Sequence, residues 1–167
     1  YILGQGLGNL LSLHRSLPAR KGLAQHFDFW LRHSLWGNRT DLSNQQVVAD
    51  VAQASTKDSP DLLLIDHREH LWRLFAGGQV RRLDWVADNS GLELLSDLNL
   101  LQLLLSHDLV RSVHLHLKPQ PFFVSDAMPK DLNTTLQALC QVSDPALSKL
   151  GLYMREQQRA GRLAVHA

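Results

Sequence analysis

Two carboxylates and an amide follow apolar runs of this sequence, in positions where they could bind a cation. Asp88 and Asn89 come directly after LDWVA, and Asp126 ends the run PFFVSD. Carboxylate and amide oxygens suit Mg²⁺ or Mn²⁺, which keep open positions for water and phosphate oxygens. Such an ion can polarise a phosphoryl group and lower the pKa of a bound water. A metal site built from these residues would therefore suit phosphate-ester hydrolysis.

The same stretch also permits a purely structural interpretation. Asp-Asn-Ser-Gly is a favoured turn, and Ser90 with Glu93 three residues later matches a capping box. In this interpretation Glu93 caps a helix and Asp97 lies on its solvated face. A helix opening at Ser90 and Gly91 would also present free N–H groups to an anion. Residue spacing alone leaves both interpretations open.

The first third of the chain is predicted to be helical. AQHFDFWLRHSLWG has its apolar residues at helical spacing, and Gly37 suits the end of that helix. NQQVVADVAQAS predicts a second short helix. The loop STKDSP follows, so we expect a helical segment over residues 1–55 and a second region over 56–167.

Residues 56–167 alternate between short apolar runs and helical patterns. LLLID, LDWVAD, VRSVHLHL and PFFVSD are predicted strands, and the last two helices are expected near residues 131–140 and 145–159. This order predicts an α/β, Rossmann-like three-layer domain with a mostly parallel sheet. Ligands collect beyond the carboxyl ends of such strands, where Asp66, Asp88 and Asp126 are all expected.

Composition narrows the class of protein. The chain has 167 residues, one cysteine and a formal net charge of +1, without a basic cluster, so neither nucleic acid nor a membrane surface is indicated as a partner. Polar residues interrupt the leucine-rich run 92–105, which predicts a core helix and not a membrane span. Cys140 is expected to be a buried structural thiol, and His114 and His116 to be half-buried on one strand face. The lone cysteine and the lack of a signal peptide predict a cytoplasmic protein of undetermined oligomeric state.

Four blocks of the sequence resemble, in order and spacing, the metal-dependent damage-control phosphatase family. They are SLWGNRTDLS, LLLIDHREHLW, WVADNSGLELLSDLNLLQLLL and VHLHLKPQPFFVSD. The most similar branch is the acidic residue methyltransferase 1 or sugar phosphate phosphatase branch. The resemblance implies a Rossmann-like domain with an added helical part and the hydrolysis of small phosphate esters such as fructose 1-phosphate or fructose 6-phosphate.

The resemblance also implies roles for individual residues. Asp88, Asn89 and Asp126 match the family ligands of Mn²⁺, Ni²⁺, Co²⁺ or Mg²⁺ and would be the catalytic metal centre. Glu93 matches a glutamate on the substrate or cofactor side of the pocket. Lys118 matches a family lysine, and we expect it to contact either the phosphate or a group that surrounds the ligands. We also expect Asn38 to border the pocket.

Two other functions stay open. The same branch is described as S-adenosylmethionine-dependent methyltransferases that act on protein glutamates. Two family motifs that bind the phosphate and sugar are not found in this sequence, which ends at GRLAVHA: a Gly-Asp-x-Asn-Tyr-Arg stretch and an Arg-Thr-x-Lys stretch. In addition, Leu117 stands where the family has a glycine. A chain truncated on its C-terminal side, and hence an inactive binding domain, is the third expectation.

Overall fold

A computed structural model describes residues 2–17, 22–37, 63 and 65–167. The described parts form a mixed α/β fold, in agreement with the predicted class. In chain order the elements are α1 (Ile2–Ser16), α2 (Leu23–Trp36), α3 (Arg68–Ala76), β1 (Arg82–Val86), α4 (Leu92–Ser106), β2 (Ser112–His116), α5 (Pro129–Gln141), α6 (Pro145–Arg159) and β3 (Leu163–His166). The predicted helix over residues 44–55 and the boundary at 55/56 lie outside the described residues.

The three strands form one parallel sheet in the order β1-β2-β3. Val113 and Leu115 of β2 are fully buried against the helices, and the residues that alternate with them, Ser112, His114 and His116, point to the opposite face. A small open parallel sheet of this kind is compatible with a Rossmann-like fold. It brings the carboxyl ends of β1 and β2 to the same edge, where Asp88 and Lys118 follow their strands.

Helix α4 is the centre of the core. Most of its side chains are buried, including Leu94, Leu98 and Leu104, and α1, α2 and α6 all pack against it. A helix that is apolar on nearly every side must be surrounded by other elements, because any exposed side would leave leucine in water. The prediction of a core helix over residues 92–105 is thus confirmed. No helix in the described part of the chain is long and apolar enough to span a bilayer.

Two predicted strands are wrong. PFFVSD forms a turn, and Phe122, Phe123 and Val124 are exposed, so its apolar residues do not enter the core. Among the described residues of LLLID, neither Leu63, Ile65 nor Asp66 belongs to a strand.

A third strand was not predicted. LAVH, at the end of the chain, pairs with β2 to form β3, and Leu163 is buried at its start. Helices α5 and α6 lie close to their predicted positions; α5 begins at Pro129, two residues before the predicted start.

Candidate metal and phosphate site

The end of β1 and the turn before α5 are joined by backbone hydrogen bonds. Asn89 and Asp126 form an isolated antiparallel bridge, and the Ala127 N–H donates to the Asp88 carbonyl at 2.9 Å. The Lys118 N–H donates to the Ala127 carbonyl at 3.0 Å. The turn therefore folds back across the ends of β1 and β2, so Asp126 reaches the site without the strand predicted for it.

The carboxylates of Asp88 and Asp126 converge on one point. Lys118 Nζ occupies that point: it donates to Asp126 Oδ1 at 2.6 Å and to Asp88 Oδ1. The Lys118 ammonium is a cation that lies where a metal ion would bind. Its two hydrogen bonds show that these carboxylate oxygens are arranged to bind positive charge. The hydrogen bonds that the ammonium donates to Asp126 and Asp88 also raise the pKa of Lys118.

Asp126 is held as an ionised carboxylate. Its side chain is 2% exposed, and its Oδ2 accepts the backbone N–H groups of Phe122 at 2.8 Å and Phe123 at 3.0 Å. The Lys118 ammonium, with the N–H groups of the turn, lowers the pKa of Asp126 to about 2. These donors favour the charged form, so the group is ready to bind a metal without first losing a proton.

Asn89 is buried and fully oriented by its neighbours. Its Nδ2 donates to Glu93 Oε2 at 3.0 Å and to Asp88 Oδ2 at 3.1 Å, and its Oδ1 accepts from Ser125 Oγ at 2.8 Å. A carbonyl oxygen has a second lone pair, so Asn89 Oδ1 can still bind a cation. Sequence reasoning overlooked Ser125, whose one signal is its place immediately before Asp126.

The capping box predicted for Ser90 and Glu93 does not form. Gly91, with φ 76°, is the N-cap of α4, and Ser90 Oγ donates to the Ser125 carbonyl at 3.0 Å. Glu93 instead accepts the Asn89 N–H at 3.3 Å, in addition to its bond with Asn89 Nδ2. Burial raises the pKa of Glu93 against the opposing effect of these hydrogen bonds.

Asp97 is not on a solvated helix face, contrary to expectation. It is 2% exposed and accepts a hydrogen bond from Ser34 Oγ of α2 at 2.6 Å. Burial raises its pKa to about 7, although the Ser34 hydrogen bond acts in the opposite direction. Its partner is 63 residues away in the sequence, so no local pattern could identify it.

Asp66, the remaining predicted strand-end acid, lies elsewhere. It pairs with Arg68, whose Nη2 is 2.7 Å from Asp66 Oδ2 and whose Nη1 is 2.6 Å from Asp28 Oδ1. Asp66 therefore helps to join α3 to α2. Asn38 lies outside the described residues, and its predicted role at the pocket stays a prediction.

Two further side-chain groups singled out from the sequence are not part of the site. His114 and His116 are half-buried on the outer sheet face; His114 Nδ1 is hydrogen-bonded to His166 Nε2 at 2.8 Å, and His116 Nε2 to Asp84 Oδ1 at 2.8 Å. Cys140 is an unpaired, half-buried thiol.

The donor set fits a hard divalent cation. Within the described ranges no group of three or more His, Cys, Asp or Glu side chains is arranged to hold a metal ion. The site instead offers two carboxylates and one amide oxygen, with the Glu93 carboxylate behind the amide. Three acidic groups against one ammonium leave the site negative, which favours a divalent cation in the place of Lys118 Nζ.

Comparison with known proteins identifies similar chains. Residues 9–167 match the model of the damage-control phosphatase ARMT1-like domain. The chain is 34% identical to damage-control phosphatase ARMT1 of Macaca fascicularis over 156 residues, which cover 86% of this chain and 35% of that protein. It is 34% identical to the Mus musculus protein over 146 residues, covering 81% and 33%. For the Homo sapiens protein the identity is 32% over 155 residues, covering 86% and 35%. The chain thus spans about one third of the length of these relatives.

Proposed function

Because the chain belongs to the damage-control phosphatase ARMT1-like domain family, we propose that it carries the metal centre of a phosphatase that hydrolyses small phosphate esters. One observation supports this proposal above the others: Asp88 and Asp126 converge on a single cation position at the carboxyl ends of β1 and β2. In open parallel sheets this edge is where ligands bind. The relatives that share this part of the chain are called damage-control phosphatases.

Asp88, Asn89 and Asp126 would hold the ion, which is Mn²⁺, Ni²⁺, Co²⁺ or Mg²⁺ in this proposal. When bound, it supplies a positive charge that polarises a phosphoryl oxygen and acidifies water. Asp126 contributes a carboxylate kept ionised by the N–H groups of its turn. Glu93 keeps the Asn89 amide turned so that its oxygen points away from the glutamate.

Lys118 has two partners in this scheme. In the described structure its ammonium pairs with both carboxylates and offsets part of their charge. With a cation held by the two carboxylates, Lys118 Nζ would be free to contact the negatively charged phosphate of the substrate. Fructose 1-phosphate and fructose 6-phosphate are the substrates we propose, with the reaction in the cytoplasm.

The test is phosphate release by the purified protein from both fructose phosphates, with and without MnCl₂. Asp126→Asn and Asp88→Asn should each lower the metal-dependent rate at least ~100-fold, because each removes a charged ligand. Asp84→Asn is the matched control. Asp84 lies on the exposed face of β1, where it pairs with Arg82 and His116, and its loss should leave the rate within about twofold of wild type.

Each other outcome has a definite meaning. Full activity of Asp126→Asn would overturn the assigned centre. Binding of S-adenosylmethionine without Mn²⁺, measured by calorimetry, would instead support a glutamate carboxyl methyltransferase. Binding of Mn²⁺ with no turnover of any phosphate ester would indicate an inactive binding domain.

A further inference from the structure

The end of α2 touches the first turn of α4 at a position that only glycine can occupy. A Cβ built on Gly37 would lie 2.6 Å from Glu93 Cα and 2.9 Å from Glu93 Cβ. Contacts this short force a movement, and here the atoms that must move are backbone and Cβ rather than the tip of a flexible side chain. Gly37 has φ −57°, an ordinary value for any residue, so the requirement for glycine is steric and not conformational.

A buried hydrogen bond fixes the same helix pair one turn further along. Ser34 Oγ donates to Asp97 Oδ1 at 2.6 Å, and both residues are buried. Loss of this bond would leave a buried polar group without its partner, which is costly. Ser34 and Gly37 thus fix how far along α4 the end of α2 lies.

Glu93 transmits this contact to the candidate metal site. Its backbone meets Gly37, while its carboxylate accepts both the N–H and the Nδ2 of Asn89, at 3.3 and 3.0 Å. Displacement of the first turn of α4 would therefore move the only carboxylate that receives both Asn89 donors among the described residues. Asn89 would then lose the orientation in which its Oδ1 accepts from Ser125 Oγ and its Nδ2 donates to Asp88 Oδ2.

We propose that Gly37 and Ser34 are positioning residues: by holding α2 against α4 they fix Glu93 and, through it, the Asn89 ligand. The N-terminal helices are then a working part of the site and not only an attached segment. The effect on metal binding rests on the function proposed above, whereas the effect on Asn89 orientation does not.

Gly37→Ala tests the proposal, and the chain supplies two matched controls. A Cβ at Gly8 meets nothing within 4 Å, so Gly8→Ala reproduces the change without crowding. A Cβ at Gly151 would lie 2.7 Å from Leu139 Cβ, so Gly151→Ala reproduces the crowding in the packing of α6 on α5, away from the site. Two measurements are made on each purified variant: amide hydrogen exchange at Asn89 without metal, and Mn²⁺ affinity by calorimetry.

In Gly37→Ala we expect faster exchange at Asn89 relative to Ala87, whose N–H donates to the His116 carbonyl. We also expect Mn²⁺ affinity to fall ~10- to 100-fold, the usual loss when the orienting partner of a ligand is disturbed. Gly8→Ala should change neither. Gly151→Ala should lower overall stability while the exchange ratio and the Mn²⁺ affinity stay at wild-type values.

Wild-type exchange at Asn89 in Gly37→Ala would overturn the proposal, as would equal effects in Gly151→Ala. If the wild type binds no Mn²⁺ but exchange at Asn89 responds as expected, the metal function fails and the positioning role stands. Should Gly37→Ala not fold, Ser34→Ala removes only a hydroxyl. The same two changes are expected in it, smaller in size, and their absence would equally overturn the proposal.

Discussion

Asp97→Asn should remove a pH dependence of stability that the buried carboxyl of Asp97 produces. The carboxyl is 2% exposed, and burial raises its pKa from 3.8 to about 7. Between those two pH values the folded protein keeps a proton that the unfolded chain has released. Asparagine keeps the oxygen that accepts the Ser34 hydrogen bond, so the substitution changes the charge with little change in shape.

The sign and size of the effect follow from proton linkage. A group that binds its proton more tightly in the folded state makes the free energy of unfolding fall as pH rises, here between about pH 4 and pH 7. The two pKa values differ by about three pH units, and each is worth ~1.4 kcal/mol, so the loss is about 4 kcal/mol at most. Above pH 7 the wild type carries a buried charge that Asp97→Asn lacks, and the variant should be the more stable protein.

The assay is urea unfolding at pH 4, 5, 6, 7 and 8, monitored by tryptophan fluorescence. The dependence of the free energy of unfolding on urea concentration, the m value, is compared between proteins to verify that each exposes the same surface on unfolding. Asp108→Asn is the control, because the Asp108 side chain is 85% exposed and asparagine tolerates its positive φ of 51°. Its stability curve should run parallel to that of the wild type. A wild-type curve parallel to that of Asp97→Asn over the same range would refute the assignment of a buried, protonated Asp97.

Three further substitutions test other contacts. Lys118→Met removes the ammonium between the two site carboxylates, so the melting temperature of the metal-free protein should fall, and 1 mM Mn²⁺ should raise it by more than in the wild type. Arg68→Met removes the link between α2 and α3 and should cost about 2 kcal/mol in urea unfolding, against less than about 0.5 kcal/mol for Arg73→Met, whose ion pair is exposed. Gly151→Ala forces a Cβ to within 2.7 Å of Leu139 Cβ and should lower the free energy of unfolding by about 1–3 kcal/mol, measured in the same way.

The elements that sequence predicted well are those whose pattern is local. The leucine-rich helix is a long, nearly continuous apolar run, and β1 and β2 alternate between more and less buried residues. Each of these patterns is contained within its own element. PFFVSD was wrongly predicted to be a strand because its run of apolar residues is typical of one. Its backbone is used differently: the N–H groups of Phe122 and Phe123 bind the Asp126 carboxylate, and Val124 is 98% exposed.

The residues around the candidate site also divide into those that a local sequence pattern indicates and those that depend on contacts between distant parts of the chain. Asp88, Asn89 and Asp126 could be selected because they follow apolar runs, although the same residues also suit an ordinary turn. The resemblance of the surrounding blocks to a known family favoured ligands over a turn. Asp97 was misplaced because a single acid in a helix is usually solvated, and the Ser34 that accommodates it lies on another helix. A buried carboxyl can be inferred from sequence only if its partner is known, and long-range partners leave no periodic trace.

The contact between α2 and α4 is still harder to predict. At Gly37 it depends on the absence of a side chain, because a Cβ there would overlap Glu93. A glycine at the end of a helix is normally explained by the backbone conformation it allows. At Gly37 that explanation fails, since the residue is in the ordinary helical region. What requires glycine is the backbone of Glu93 on another element, whose own side chain reaches back to Asn89. Two short local patterns, the end of one helix and the start of another, thus specify one site only when the fold brings them within van der Waals contact.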